Sequence, residues 1–258
     1  MSLTEDALKT AARTALACLD LTSLNDADTS ADIEALCRRA RGPNASQRRA
    51  VAAVCVWPRF AAQARALLPE HIAVAAVANF PDGSADIARA VADTRAIVAA
   101  GAQEVDVVMP YQQPGAAPAL LQAVREACKG LKLKVILETG LLRNDDAVRH
   151  ACRMALNAGA DFLKTSTGKV PVNATLESAA LLLQAIADDP LARHRVGFKP
   201  AGGVRTVADA AAYMALQARI LGPDTVKPSR FRIGASGLLI DIEAVLHDTK
   251  AAAPGAGY

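Results

Sequence analysis

Aromatic side chains are scarce in this chain, at 3% of 258 residues with a single Trp. A nucleic-acid surface needs basic residues in number, usually with aromatic faces among them, and this composition argues against one. The formal net charge is only +3, and the one dense basic cluster (Arg38, Arg39, Arg41, Arg48, Arg49) reads as a solvated helix end and loop. Long apolar runs are missing as well: none approaches the ~20 residues of a bilayer-spanning helix. Met1–Ala17 begins with polar residues (Thr4, Glu5, Asp6, Lys9, Arg13) and reads as an amphipathic helix, not an export signal. The five cysteines are odd in number and include no Cys-x-x-Cys pair, which suits reduced thiols in a cytoplasmic protein. His71, His150, His194 and His247 are isolated, so neither a metal nor a cofactor is expected.

What the chain does have is a large supply of small apolar residues, 52% hydrophobic in all, patterned in alternation. Short β-rich runs occur at Ala17–Leu24, Val51–Pro58, Ile72–Pro81, Glu104–Pro110, Lys134–Gly140, Phe162–Gly168, Val196–Gly203 and Phe231–Ser236. Between them lie helical patterns such as Asp32–Ala40, Ala85–Ala100, Asp145–Ala158, Leu176–Ala187 and Val207–Leu221. Thr29, Ser84, Asn144, Thr175 and Thr206 stand where N-caps belong, and Gly101, Gly159 and Gly222 where left-handed helix ends belong. Strict alternation implies parallel strands joined by right-handed crossovers. At this length the expected fold is an α/β (β/α)₈ TIM barrel with an extra N-terminal helix, one domain over residues 1–258, with 251–258 a flexible tail. A doubly wound sheet is the alternative, but the first strand–helix turn lacks a Gly-x-Gly-x-x-Gly fingerprint.

Charged residues inside apolar strand runs are the chemical signal. Lys164 ends the run Asp161-Phe162-Leu163-Lys164, and Lys199 ends Val196-Gly197-Phe198-Lys199. Burying a lysine is costly unless it is paired or neutral. Two cations close together favour the neutral amine of either one, which is a carbonyl nucleophile. Strands six and seven would be neighbours about 4.8 Å apart, with Asp106 of strand four reaching across the barrel. Asp20 and Thr22 of strand one, followed by Asn25 and Asp26, would join the same top face, and Ser166 shares a strand face with Lys164. Lys134, four residues before Glu138, would start strand five roughly 13 Å lower as an internal ion-pair lysine. Read this way, Lys164 and Lys199 are equivalent candidates for the nucleophile.

Gly202-Gly203 after strand seven and Gly234-Ala235-Ser236-Gly237 after strand eight suit an anion. Loops at those two places form the recurrent phosphate site of such barrels, and glycines let backbone N–H groups turn toward it. Gly168-Lys169 and Arg205 would add positive partners.

The runs Asp161–Val170 and Gly197–Thr206 resemble those of the deoxyribose-phosphate aldolase family, class I aldolases of barrel fold. The resemblance extends to Leu19–Asn25, Cys55–Phe60, Ala78–Pro81, Glu104–Val108 and Gly234–Ser236, nearly the whole chain. It implies reversible, metal-free cleavage of 2-deoxy-D-ribose 5-phosphate to acetaldehyde and D-glyceraldehyde 3-phosphate, a step in deoxyribose phosphate catabolism. By the same resemblance Lys164 forms the Schiff base, Lys199 tunes it and Asp106 moves protons. Asp20 contacts the polar network and substrate, and Thr167 lies near the substrate. Gly168, Lys169, Gly202, Gly203, Arg205, Gly234 and Ser236 surround the phosphate. Gly237 stands where the family pattern has a second serine, which keeps a backbone N–H but removes one hydroxyl. Similar aldolases also end in a tyrosine, so Tyr258 would relay a proton to the enamine while the tail excludes water. Another Schiff-base sugar-phosphate aldolase, or a non-catalytic sugar-phosphate binder, are the open alternatives. The expected partners are phosphorylated sugars and aldehydes, not nucleic acid or membrane, and self-association into a homo-oligomer is left open.

Overall fold

In a computed structural model that describes residues 4–42 and 50–249, eight strands form one parallel sheet. They are β1 (Leu19–Thr22), β2 (Ala53–Val56), β3 (Ala73–Ala78), β4 (Glu104–Val108), β5 (Lys132–Ile136), β6 (Phe162–Lys164), β7 (Gly197–Lys199) and β8 (Ile233–Ala235). Seven follow one another around the sheet and β8 lies beside β1. The circle closes between β7 and β8 through two isolated parallel bridges, Phe198 with Phe231 and Ala201 with Gly234.

Helices α1 (Glu5–Ala17), α2 (Ser30–Ala40), α3 (Pro58–Leu67), α4 (Ile87–Ala99) and α5 (Ala117–Ala127) precede or follow the first four strands. After β5 come α6 (Asp145–Asn157), α7 (Leu176–Asp188), the short α8 (Ala192–Arg195), α9 (Val207–Leu221) and α10 (Leu238–His247). This is the expected (β/α)₈ barrel with a helix added before β1. None of the helices among the described residues is long and apolar enough to cross a membrane. Arg48, Arg49 and Tyr258 lie outside the described residues. Arg38 and Arg39 are exposed, and Arg39 pairs with Glu243 of α10 at 3.2 Å.

Local sequence explains most of the ends. Thr29, Asn144, Thr175 and Thr206 each accept a backbone N–H in the first turn of the helix they open. Ser84 does not cap α4. Its hydroxyl accepts the N–H of Asp86 at 3.0 Å, and the Asp86 carboxylate then caps the helix through Arg89. Gly101 and Gly159 take left-handed backbone after α4 and α6, whereas Gly222 has positive φ with extended ψ (97°, 149°). The strands are shorter than their apolar runs because the chain turns into loops at the barrel's C-terminal mouth. Glu138, for example, leaves the β5 ladder with left-handed φ and ψ of 55° and 54°.

Alternation along each strand separates two interiors. Val105, Val107, Val135, Leu163 and Phe198 face outward into the layer between strands and helices. Inside the barrel, Leu24, Cys55, Ala75, Val77, Val108 and Ile136 make an apolar half. The other half of the interior is charged.

Candidate active site

The charged half follows from strand parity and register. Asp106 stands two residues from Val108 on the inward face of β4 and pairs in register with Lys134 of β5. Lys164 and Lys199 are register partners at the ends of β6 and β7. Asp20 on β1 is opposite Gly234 of β8. Lys164 is 2% exposed, and Asp20, Asp106, Lys134 and Lys199 are completely buried.

These side chains share carboxylates. Asp106 accepts from Lys164 at 2.9 Å, from Lys199 at 2.8 Å and from Lys134 at 2.7 Å. Lys199 also binds Asp20 at 2.5 Å. Asp20 accepts from Arg232 at 2.6 Å, and Arg232 reaches Glu104 at 2.8 Å. Lys134 completes the circuit, 2.6 Å from Glu104 and 3.3 Å from Asp20. The Arg232 guanidinium also stacks 5.7 Å from the Phe162 ring. Gly197 makes room for that ring, since a Cβ there would sit 2.3 Å from it.

The three buried lysines are therefore not equivalent. Lys134 has three carboxylates, Lys199 two and Lys164 one. Burial works against charge at all three. At Lys134 and Lys199, however, the surrounding carboxylates outweigh it and hold the pKa above the ordinary lysine value. At Lys164 burial prevails, Asp106 opposes it and Lys199 adds to it, so the amine is pushed toward its neutral form. Burial likewise opposes ionisation of Asp20, Asp106 and Glu104, but their cationic neighbours keep all three carboxyls below the usual range.

Three of these positions differ from the sequence expectation. Lys134 does not start β5. The ladder begins at Lys132, and Lys134 lies only two residues below the level of Lys164, whose register partner is Ile136. It touches Asp106 directly, sharing the carboxylate of both other lysines. Arg232 and Glu104 were missed altogether, although each is a charged residue at an inward position of an apolar run.

The mouth of the barrel is built from loops. After β6, Thr167 donates its N–H at 3.1 Å and its hydroxyl at 2.5 Å to Glu138, and its hydroxyl accepts the N–H of Lys169. Burial raises the Glu138 pKa, with the Thr167 hydrogen bonds opposing it. Gly168, Gly202 and Gly203 all have positive φ, at 85°, 78° and 85°. Lys169, Gly203 and Arg205 are exposed, and Ser236 and Gly237 are half-buried where α10 begins. Gly234, on β8, is closely packed as well: a Cβ on it would come within 3.1 Å of the Lys199 side chain and 3.0 Å of Ala201. Its lack of a side chain makes room for Lys199. Among the described residues no group of three His, Cys, Asp or Glu side chains is arranged to hold a metal.

The chain is similar to known proteins. A curated deoxyribose-phosphate aldolase of Agrobacterium fabrum (strain C58) is 46% identical over 256 residues, covering 96% of each chain. Among solved structures, a Toxoplasma gondii ME49 protein provisionally assigned as a deoxyribose-phosphate aldolase superimposes with a TM-score of 0.86 at 23% identity, over 97% of this chain and 99% of that one. A tetrameric deoxyribose phosphate aldolase from Aeropyrum pernix gives 0.72 at 23% identity, over 94% and 98%. The sequence model of the DeoC/LacD aldolases matches residues 14–240, from within the first helix to within the last, and the chain belongs to that family.

Proposed function

We propose that the protein is a deoxyribose-phosphate aldolase that cleaves 2-deoxy-D-ribose 5-phosphate through a Schiff base on Lys164. The observation that carries this reading is the Lys164 amine, buried at the barrel mouth with one carboxylate and pushed toward its neutral form. An ordinary lysine, with pKa about 10.4, is only ~0.1% neutral near pH 7.5. The identity to the Agrobacterium fabrum aldolase supports the choice of substrate.

In the cleavage direction the nitrogen lone pair of Lys164 attacks C1 of the open-chain aldehyde, and loss of water leaves an iminium. Asp106, 2.9 Å from that nitrogen, is the counter-ion for the new positive charge. Asp106 relays the C3 hydroxyl proton to solvent, the C2–C3 bond breaks, and its electron pair moves into the iminium. Glyceraldehyde 3-phosphate leaves and an enamine remains. Protonation at C2 and addition of water then free acetaldehyde and the amine. Lys199 and Asp106 lie beside the reacting nitrogen, and Lys199 keeps part of the Asp106 charge occupied. Asp20 holds Lys199 in place. Gly168, Lys169, Gly202, Gly203, Arg205, Gly234, Ser236 and Gly237 would receive the phosphate, with the N-terminus of α10 adding positive potential. Cytoplasmic residence and self-association belong to the same reading. The five buried thiols are all unpaired, and the Aeropyrum pernix protein of the same fold is tetrameric.

One assay tests both the reaction and the phosphate loops. The purified protein should release acetaldehyde and glyceraldehyde 3-phosphate from 2-deoxyribose 5-phosphate, and use unphosphorylated 2-deoxyribose poorly. Gly203→Val has open space for its Cβ, but a β-branched residue is strained at the native φ of 85°, and relaxing from that angle turns the local N–H away. Losing one hydrogen bond to a charged phosphate, worth about 1.5–3 kcal/mol, should raise KM roughly tenfold or more for the phosphorylated substrate only. Equal losses on both substrates would remove Gly203 from the phosphate site. Gly234→Val, which presses on Lys199, should impair both.

A further inference from the structure

Six of the buried charges close into a ring in which the sign alternates at every step. From Asp106 one branch runs through Lys199 and Asp20 to Arg232, and the other through Lys134 and Glu104 to the same Arg232. Three carboxylates and three cations balance to zero. Lys164 is the seventh member, attached at Asp106 and outside the balance. Resting on the aldolase reading, we infer that Arg232 and Glu104, at and beside the point of the ring opposite Asp106, are positioning residues that govern how readily Lys164 gives up its proton.

The physical reason is charge conservation in a site that water does not screen. A protonated Lys164 would leave this buried cluster with one surplus positive charge, and a neutral Lys164 leaves none. All six ring members are held in their charged forms, in keeping with this count. Two further titratable groups face Lys164 from outside the ring, and both are the same in every variant considered below. Cys55 on β2 is a buried thiol whose pKa is raised, and Glu138 beyond β5 is bonded to Thr167 and pushed toward its neutral form. Lys199 is then one contributor to the amine's reactivity, and the distant Arg232–Glu104 pair contributes through the same sum.

The sign of each substitution follows. Arg232→Gln leaves the ring one negative charge in excess, which favours the protonated amine and moves the pH midpoint for Lys164 upward. Glu104→Gln leaves one positive charge in excess and moves it downward. The double variant Glu104→Gln/Arg232→Gln is balanced and should return the midpoint close to that of the unaltered protein, as should Arg232→Lys. Each single shift should be about one pH unit, on the scale of one unit charge acting across a few side chains at intermediate dielectric.

Two readouts across pH decide the matter: borohydride trapping of acetaldehyde, and acylation of Lys164 by a small anhydride followed by peptide mapping. The second needs no turnover, so it tests the ring even if acetaldehyde is never trapped, an outcome that would instead count against the aldolase reading. Both single variants break a buried ion pair and should lower the melting temperature. A purely structural role predicts that loss with no movement of the midpoint. Midpoints that stay in place, or that move in the same direction in Arg232→Gln and Glu104→Gln, overturn the inference. If Arg232→Gln does not fold, the comparison of Glu104→Gln with the double variant carries the same test, a downward shift that the second substitution reverses.

Discussion

Lys164→Ala should abolish borohydride-trapped acetaldehyde and lower kcat by on the order of 10⁴-fold or more, the scale of losing a covalent nucleophile. The fold should survive. Lys164 contributes no member to the balanced ring, so its removal leaves no carboxylate without a cation: Asp106 keeps Lys134 and Lys199. This contrasts with the other two buried lysines, either of whose truncation leaves the ring one negative charge in excess. Mapping the reduced adduct to the peptide containing Lys164 is the direct measurement. A two-carbon label found only on Lys199 would reverse the assignment.

Lys199→Leu and Asp106→Asn should move the pH dependence of imine formation in opposite directions. The reactive amine is the deprotonated one, so trapping rises as pH climbs through the Lys164 pKa, and the lowered pKa places that rise below the ordinary lysine range. Lys199 lowers this pKa by like charge and by sharing Asp106. Replacing it with leucine should shift the rise to higher pH and leave little neutral amine at pH 7. Asp106 raises the same pKa, so Asp106→Asn should shift the rise to lower pH. The asparagine variant gains nothing by it, since the iminium loses its counter-ion and proton transfer slows, a loss of about 10²–10⁴-fold. Each change breaks a buried pair and should cost roughly 3–5 kcal/mol of stability. An unmoved profile in Lys199→Leu would sink the like-charge argument.

The barrel was legible in the sequence because fully buried parallel strands are written as short apolar runs between helical patterns. Their ends were not, since apolar residues continue past the last ladder bond into the mouth loops. Lys164, Lys199 and Asp106 were legible because each breaks such a run at an inward position. Glu104 carries the same signal, two residues before Asp106, and Arg232 carries it two residues before Gly234. What a single sequence does not reveal is the partner: Arg232 meets Glu104 across 128 positions of chain and Asp20 across 212. The close packing around Gly234 was hidden for a similar reason. Its neighbour Lys199 lies on the adjoining strand, and close approach between two strands leaves no trace in the local residues of either. The two lysines that looked alike along the chain are told apart by how many carboxylates each receives in space.

The seam between β7 and β8 deserves a mechanical reading. Adjoining strands elsewhere make three to five register pairs, whereas these two are joined by two isolated bridges. The charges span that gap. Lys199 at the end of β7 and Arg232 at the entrance to β8 are both fastened to Asp20 of β1. They act as a clasp across the thinnest join in the wall, and acid that protonates Asp20 would loosen it. The barrel is thus held shut by the same groups that ready its amine. Natural variation at any of them must satisfy closure and reactivity at once, which leaves substitution in matched pairs as the open route.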